Sequence, residues 1–404
     1  MIPASRAANR GWLEHRNLLA MTVTLSARGL ERFNTGHPWI YRSDIARMPP
    51  SPGLYPVHDA RGRVLGWAAV NPQSEITVRM LTRGMKPANE ALLLMHLERA
   101  IQHRRHDVSM NGNAYRIVHS DADGLPGVTV DKYSDYLVIQ QHSAALEPHL
   151  PAVLNALETE FRPLGILARF DGKSRSLEGL ETGVYELRGT VLDWLEVIEG
   201  DVRYLVDPWR GQKTGAFLDQ RENRAALKAR AYGRALDVFS YHASFGLHLA
   251  TVCDDVECID ASEPALERGR ENAALNGFPN LSFTAGNAFD VLRERERSGV
   301  KYQTISLDPP ALAKAKRDLP AAYRAYKELN LRAMKLLEAG GILGTASCSF
   351  HVSESDFYQM LRDSASDAGR NVRILERRSA SSDHPELLSL PESRYLKYAL
   401  LEIW

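Results

Sequence analysis

Residues 235–260 read ALDVFSYHASFGLHLATVCDDVECID, and this stretch decides the fold of the chain. It holds two short apolar runs, ALDVFS and VECID, with a helical pattern between them. Short strands that alternate with helices are typical of a parallel sheet with crossover connections. Asp237 lies in the first strand, and Asp260 ends the second strand 23 positions later. An acid near this spacing binds ribose hydroxyls in nucleotide-type sites.

The same pattern continues from about residue 201 to the C-terminus. Further apolar runs that end in a polar residue are LSFTAG, TISLD and GILGTAS. The last two runs, VRILERR and YLKYALLEIW, have no strong helix between them, which predicts an antiparallel pair. A mostly parallel seven-stranded sheet with such a pair is the arrangement of class I, Rossmann-like methyltransferases. We therefore predict an α/β domain of this kind over residues 201–404.

Three shorter regions precede this domain. We assign residues 1–21 to a polar N-terminal extension. Residues 22–92 are predicted to form a β-rich domain, whose short β segments begin with TVTLSARGLERF and are broken by DARGR and NPQS. Residues 93–200 mix strands with the helical segment LPAVLNALETEF, which predicts a middle α+β domain.

The composition indicates a globular, cytoplasmic protein. Hydrophobic residues make up 44% and charged residues 25% of the chain, as in soluble proteins. Three cysteines do not make a disulfide framework, and no Cys or His spacing predicts a metal site. The N-terminus lacks an apolar segment for a signal peptide or a membrane span. A net charge of zero argues against non-specific coating of nucleic acid, but a localised basic face stays open.

The segment YHASFGLHLA after the first strand predicts a cofactor loop that is poor in glycine. Only Gly246 stands where such loops hold two or three glycines, and it permits close backbone approach. S-adenosylmethionine carries no phosphate, so the loop need not cradle an anion. The third strand runs into Gly286-Asn287-Ala288, where Asn287 is a candidate for contact with an adenine edge. The alternative is that the two strand-end acids only cap strands in another α/β protein.

The fourth strand ends in Asp308-Pro309-Pro310. Two successive prolines continue neither a helix nor a central strand, so they fix a rigid turn at the ligand face of the sheet. A carboxylate before such a turn accepts hydrogen bonds from an amino group on a planar base. This motif is also found in amino-group methyltransferases and in unrelated turns.

A cysteine lies at the end of the fifth strand, in ASCS at residues 346–349. Methylation at C5 of a pyrimidine needs a nucleophile, because thiolate addition at C6 makes C5 able to attack the methyl group of S-adenosylmethionine. The site must therefore lower the thiol pKa from its free value of about 8.5. Cys348, beside Asp308, is placed for this role. The alternative, a small buried hydrophobe, fits Cys253 and Cys258.

Nine segments together resemble one family. In chain order they are GHPWIY, SDADGLPGVTVDKY, GQKTGAFLDQRENR, LDVFSY, LDPPALAKAKRDL, YKELNLRAMKLLEAGGIL, ASCS, DHP and YLK. From about residue 22 to 404 the chain is similar to the bacterial 23S rRNA C5-cytosine methyltransferases that carry an N-terminal PUA domain. The resemblance implies a PUA RNA-binding domain, a middle α+β domain and a class I methyltransferase domain that uses S-adenosylmethionine. It implies Cys348 as the nucleophile and Asp308 as the group that steadies the cytosine.

The resemblance also implies the residues that line the cofactor pocket. They are Lys213, Thr214, Phe217, Asp219, Phe239, Ser240, Asp260, Ala261 and Asn287. The predicted cofactor site is completed by Asp237, Tyr241, Gly246, Ala288 and Asp308.

Basic residues are candidates for RNA contact. Two clusters before the catalytic domain contain Arg99, Arg104, Arg105, Lys173 and Arg175. The predicted substrate site at the mouth of the active site consists of Pro309, Pro310, Lys314, Lys316 and Arg317, whose cations would meet phosphates beside the target. The expected partner is 23S rRNA or a large-subunit assembly intermediate, with no membrane, and the domain composition is compatible with a homodimer.

Two other functions stay open. The first is exocyclic amino-group methylation of an rRNA base, which uses the Asp-Pro-Pro turn and needs no thiol. The second is a catalytically weak RNA-binding or ribosome-assembly factor, because the cofactor loop is poor in glycine. Cys348→Ala separates the first from C5-cytosine methylation, and tight binding of S-adenosylhomocysteine would exclude the second.

Overall fold

The computed structural model describes residues 21–107 and 111–404. The predicted extension at residues 1–21 therefore lies outside the described residues, apart from Met21. Within the described ranges, no group of three or more His, Cys, Asp or Glu side chains is arranged to hold a metal ion. No helix in these ranges is long and apolar enough to cross a membrane.

The N-terminal region forms a six-stranded sheet with the order β2-β6-β5-β4-β1-β3. Its strands are β1 Val23–Leu25, β2 Trp39–Ile40, β3 Ile45–Arg47, β4 Gly53–His58, β5 Val64–Val70 and β6 Val78–Arg83. The interpretation of TVTLSARGLERF as β structure throughout is wrong, because its second half is helix α1, Ala27–Asn34. The Ser26 side chain caps this helix by accepting the Gly29 N–H, and Leu30 and Phe33 pack on the core of the sheet.

The middle region forms a second sheet with the order β11-β10-β9-β8-β7. Its strands are β7 Ala114–His119, β8 Val128–Tyr133, β9 Tyr136–Gln141, β10 Gly165–Arg169 and β11 Val184–Gly189. Its helices are α2 Glu90–Arg105, α3 Leu150–Phe161 and α4 Lys173–Leu177. Residues of α2 and α3 share one buried core with this sheet. A separate antiparallel hairpin, β12 Leu195–Glu199 and β13 Val202–Val206, follows it and spans the predicted boundary at residue 200.

The C-terminal region contains a seven-stranded sheet with the order β16-β15-β14-β17-β18-β20-β19. Its strands are β14 Arg234–Val238, β15 Asp255–Asp260, β16 Leu281–Ala285, β17 Tyr302–Leu307, β18 Leu337–Ser347, β19 Val372–Arg378 and β20 Lys397–Ile403. Its helices are α5 Arg221–Lys228, α6 Ser244–Ala250, α7 Glu263–Asn276, α8 Ala288–Arg297, α9 Leu319–Leu336 and α10 Glu354–Ala368. The strands β14 to β18 pair in parallel, and β20 is antiparallel to both β18 and β19. The predicted α/β fold with a C-terminal antiparallel pair is confirmed.

Local sequence signals explain how the chain crosses between these strands. Helix α7 begins after Ser262, whose side chain accepts the Ala265 N–H, and has Pro264 in its first turn. It ends at Gly277, which has a φ of 66°, in the left-handed conformation that favours glycine. Buried apolar residues cover both faces of the sheet. Polar side chains that could bind a ligand are therefore expected at the carboxyl ends of its parallel strands.

Candidate active site

A cavity of about 570 Å³ lies at the carboxyl ends of the parallel strands. Fourteen of the predicted site residues line it. They are Lys213, Phe217, Asp219, Phe239, Ser240, Tyr241, Asp260, Ala261, Asn287, Ala288, Asp308, Pro309, Pro310 and Cys348. Every loop that follows β14, β15, β16, β17 or β18 contributes to this lining, because parallel strands bring their carboxyl ends to one edge of the sheet.

The other predicted site residues lie off the cavity surface. Thr214, Asp237 and Gly246 are buried in the walls behind it. Lys314, Lys316 and Arg317 are exposed on the segment after Pro310, outside the lining. Three of the predicted residues therefore support the pocket from behind, and the three cations are exposed to solvent on a segment that continues from its lining.

The loop after β14 has an unusual backbone. Phe239, Tyr241 and Ala243 have φ values of 64°, 51° and 66°, which cost a non-glycine residue roughly 1–2 kcal/mol each. Hydrogen bonds to β15 hold the loop in place: Ser240 N–H donates to Ile259 O at 3.0 Å. Strain of this kind is maintained where the surrounding structure fixes it, commonly at functional sites.

Two aspartates organise the ends of β14 and β15. Asp260 accepts the Tyr241 N–H at 2.9 Å and the Ser262 N–H at 2.8 Å, one with each carboxylate oxygen. Asp237 is buried and accepts the Gly246 N–H at 2.8 Å, and its burial raises the pKa of that carboxyl to about 7. A Cβ atom on Gly246 would lie 2.4 Å from the sulfur of Cys258. The glycine is thus required by packing against β15 as well as by the cofactor loop.

The segment 211–219 places a lysine and an aspartate in the cavity wall. Lys213 Nζ lies 2.6 Å from Asp219 Oδ2, and the Tyr395 hydroxyl donates to the same oxygen at 2.7 Å. Burial alone would raise the pKa of Asp219, but the nearby positive charges, Lys213 foremost, hold it well below its ordinary value. Asp219 is therefore a permanently charged anchor for this side of the cavity.

The middle region fixes that segment through buried polar groups. Thr214 donates its hydroxyl to Asp131 of β8 at 2.5 Å. Asp131 in turn receives two hydrogen bonds from Arg116, each of 2.8 Å. Thr214 and Asp131 are fully buried, so the contact between them is rigid. The pocket is thus built by two regions of the chain and not by the seven-stranded sheet alone.

Two of the arginines that were predicted to lie on a basic surface, Arg104 and Arg175, are buried in the protein. Arg104 is 3% exposed, and it bonds Asp123 at 2.7 Å and the Asp383 carbonyl at 2.8 Å. Arg175 is 3% exposed and pairs with Glu147 at 2.6 Å. The prediction that these two arginines face RNA is wrong, because both guanidinium groups are buried and each is held by a carboxylate.

Cys348 and Asp308 share the cavity, as expected from their strand-end positions. The sulfur of Cys348 lies 3.8 Å from Pro309 O. Burial and the Asp308 charge raise the pKa of the Cys348 thiol to about 11, and Lys213 opposes them. Burial, reinforced by the charge of Asp219, also raises the pKa of Asp308 to about 6. The expectation of a lowered thiol pKa is therefore wrong for these surroundings, in which acids outnumber free cations.

The remaining cysteines behave as packing residues. Cys253 is 6% exposed and Cys258 is fully buried, and both belong to the core beside the sheet. Their predicted role as small buried hydrophobes is confirmed.

Sequence reasoning missed eleven residues of the cavity wall. They are Gln212, Gln220, Arg224, Ser244, Phe245, Ser262, Gly286, Phe289, Ala311, Tyr395 and Leu396. Most of them are direct sequence neighbours of a predicted site residue, and that position is the only feature of the sequence that could have identified them. Arg224 and Tyr395 reach the cavity from a neighbouring helix and from the last loop, which only the folded chain brings there.

Comparison with known proteins defines the class. Residues 23–83 match the family of PUA-like domains, and residues 180–396 match the family of S-adenosylmethionine-dependent methyltransferases. The second match covers more than half of the chain. The protein is therefore an S-adenosylmethionine-dependent methyltransferase with an N-terminal PUA-like domain.

Individual relatives narrow this class. Ribosomal RNA large subunit methyltransferase I of Vibrio cholerae is 36% identical over 372 residues, which cover 89% of this chain and 94% of the relative. The protein of that name in Pseudoalteromonas translucida is 35% identical over 396 residues, covering 96% and 100%. The chain belongs to the ribosomal RNA large subunit methyltransferase I family. A methyltransferase structure from Streptococcus mutans, 18% identical, shares the fold with a TM-score of 0.79 over 95% of this chain and 100% of that one.

The cavity fits the cofactor that this class uses. Its volume lies in the range of small-molecule sites. Within the described ranges, the buried Oγ of Ser240 and Oδ1 of Asp219 have no hydrogen-bond partner, so both are available to polar groups of a ligand. Asp260 at the end of β15 supplies a carboxylate to the cavity lining, and Phe239 and Phe289 supply apolar surface.

Proposed function

We propose that this protein methylates C5 of a cytosine in 23S rRNA through a covalent adduct between Cys348 and C6 of the base. The observation that carries the proposal is that Cys348 lines the same cavity as Asp308 and the cofactor-binding loops. A thiol in that position would lie beside a base and a cofactor that both bind in the cavity. The names of the relatives, which are large-subunit rRNA methyltransferases, support rRNA as the substrate.

The proposed chemistry uses the side chains of Cys348 and Asp308. The Cys348 thiolate adds to C6, and the electrons of the C5–C6 double bond move to C5. S-adenosylmethionine supplies the methyl group that C5 accepts. A base then removes the C5 proton, the double bond re-forms, and the Sγ–C6 bond breaks to return the thiolate. The Asp308 carboxyl would accept a hydrogen bond from the exocyclic amino group of the base.

Two described side chains, His384 and Asp308, are candidates for the base that removes the C5 proton, and the structure favours Asp308. His384 is 4% exposed, is held by Asp383 at 2.9 Å, and does not line the cavity. Asp308 does line it, and its pKa of about 6 lies near the working range of a general base. We therefore assign the proton to Asp308, either directly or through a water molecule.

The rim of the cavity supports a nucleic acid substrate. Ala313 N–H donates to Ser349 Oγ at 3.1 Å, which ties the segment after Pro310 to the loop after Cys348. Phe350 on that loop is 54% exposed, and Lys314 on the opposite segment is also exposed. An exposed aromatic ring and a cation beside a cavity are the elements that bind unstacked bases and phosphates. A cytosine would enter the cavity unpaired.

The decisive experiment uses 23S rRNA from a strain that lacks this gene, with methyl-labelled S-adenosylmethionine. We expect wild-type protein to place label in 5-methylcytidine and Cys348→Ala to place none. Cys253→Ala is the matched control, because it removes a buried thiol outside the cavity and leaves labelling intact. Calorimetry with S-adenosylhomocysteine verifies that each variant binds cofactor product.

Other outcomes point to the competing functions. Label in a methylated purine, or label that survives Cys348→Ala, refutes the thiol mechanism and favours amino-group methylation at the Asp-Pro-Pro turn. Absence of both labelling and S-adenosylhomocysteine binding in the wild-type protein supports an assembly factor.

A further inference from the structure

Lys397 begins β20 and lies in the protein interior next to the catalytic loop. It pairs with Ser347, the last residue of β18, in the antiparallel register, and it is 4% exposed. Its ammonium group donates to two carbonyl oxygens, Ser349 O at 2.7 Å and Tyr395 O at 2.8 Å. These bonds fix the amine beside the loop that carries Cys348.

This buried ammonium has no carboxylate partner. Within residues 21–107 and 111–404, no Asp or Glu oxygen lies within ion-pair distance of its nitrogen. Glu354 faces it, but that carboxylate already pairs with Arg394 at 3.0 Å. A buried charge without a counter-ion is unfavourable, and burial lowers the pKa of Lys397 to about 8 while the nearby Cys348 opposes that change.

The Cys348 thiol beside Lys397 lacks a positive counter-charge for its ionised form. In the cavity, Cys348 is faced by the charged groups of Asp308, Asp219 and Lys213, and Lys397 faces it from β20. Lys213 is already paired with Asp219 at 2.6 Å, and Arg224 is paired with Glu199 at 2.6 Å. Among the described residues that line the cavity, no cation is therefore left unpaired to balance a thiolate. Lys397, beside the loop that carries Cys348, is an ammonium that has backbone partners but no carboxylate partner among the described residues.

We propose that the ammonium group of Lys397 is the counter-charge that permits Cys348 to ionise. This inference rests on the proposed thiol mechanism. When the thiol loses its proton to solvent water, a buried ammonium and a buried thiolate form a pair in place of one unpaired charge. Lys397 undergoes no covalent change; it acts through Cys348 and is a positioning residue.

The test measures ionisation of Cys348 directly, apart from methyl transfer. Full-length protein is alkylated with iodoacetamide between pH 6 and 10, and the rate at Cys348 is followed by mass spectrometry of its peptide. We expect Lys397→Gln, which keeps hydrogen-bond donors but no charge, to slow alkylation at pH 7.5 at least tenfold and to shift the profile to higher pH. Lys397→Arg, which keeps the charge, should retain most of the wild-type rate.

Two further readouts separate this role from a structural one. Lys397→Met provides a second neutral variant if the glutamine variant does not fold. S-adenosylhomocysteine affinity should be unchanged in all folded variants. An alkylation profile that is the same in wild type and in a folded neutral variant overturns the inference. Since alkylation requires no rRNA, this result is independent of whether Cys348→Ala abolishes methylation.

Discussion

The buried ion pair between Glu199 and Arg224 offers a quantitative test of how the cavity wall is held. Arg224 donates to both oxygens of Glu199 at 2.6 Å each, and it lines the cavity. Tyr204 donates to the same carboxylate at 3.0 Å. Arg224 also donates to Phe217 O at 3.1 Å. We expect Glu199→Gln to leave a buried guanidinium without its counter-ion and to destabilise the protein strongly.

The magnitude follows from the shift of the carboxyl pKa. Burial would raise the pKa of Glu199, but Arg224 and His248 reverse this and lower it from 4.5 to about 2. At 1.36 kcal/mol per pKa unit, the folded protein favours the ionised form of Glu199 over the neutral form by about 3 kcal/mol. Because the folded pKa is depressed, this contribution is fully present above pH 4.5 and is lost as the pH falls toward 2. The value agrees with the 3–5 kcal/mol typical of breaking one side of a buried pair.

The assay is urea unfolding of the full chain at pH 7.5 and at pH 5.0, followed by circular dichroism. Glu199→Gln should lower the free energy of unfolding by about 3 kcal/mol at both pH values. Arg224→Met should cost a similar amount, since it leaves the carboxylate unpaired. The double variant should recover most of the loss, because no buried charge is left without a partner. Additive losses in the double variant, or a gap that closes between pH 7.5 and 5.0, would refute the reasoning.

Two further predictions concern single residues near the cofactor loop. Gly246→Ala places a Cβ atom 2.4 Å from Cys258 Sγ, so thermal unfolding should show a loss of about 1–3 kcal/mol that Cys258→Ala partly relieves; an unchanged midpoint would contradict this packing. Asp308→Asn should abolish methylation yet stabilise the protein by about 3 kcal/mol at pH 8, because burial raises the folded pKa of this carboxyl from 3.8 to about 6 and makes its charged form unfavourable. That gain should shrink as the pH falls below 6 toward 3.8, and a gain that is constant with pH would disprove the assignment.

The sequence carried enough information to predict the catalytic domain and most of its cavity. Apolar runs that end in polar residues fix both the strands and the edge at which they meet. The strand-end positions of Asp260, Asp308 and Cys348 therefore predict, from the sequence alone, that these residues lie close together. This worked because a parallel sheet brings residues at successive strand ends to one place, whatever lies between them.

The tertiary structure determines the burial and ion pairing of the charged side chains in the site, and so their pKa values. Arg104 was predicted as a surface cation and is an internal one, and Thr214 supports the pocket through Asp131, 83 residues away in sequence. Lys397 lies beside the nucleophile loop only because β20 pairs antiparallel with β18. Burial and ion pairing depend on which distant segments meet and exclude water. Local sequence patterns specify neither, so the pKa of Cys348 and the counter-charge for its thiolate emerge only in the folded chain.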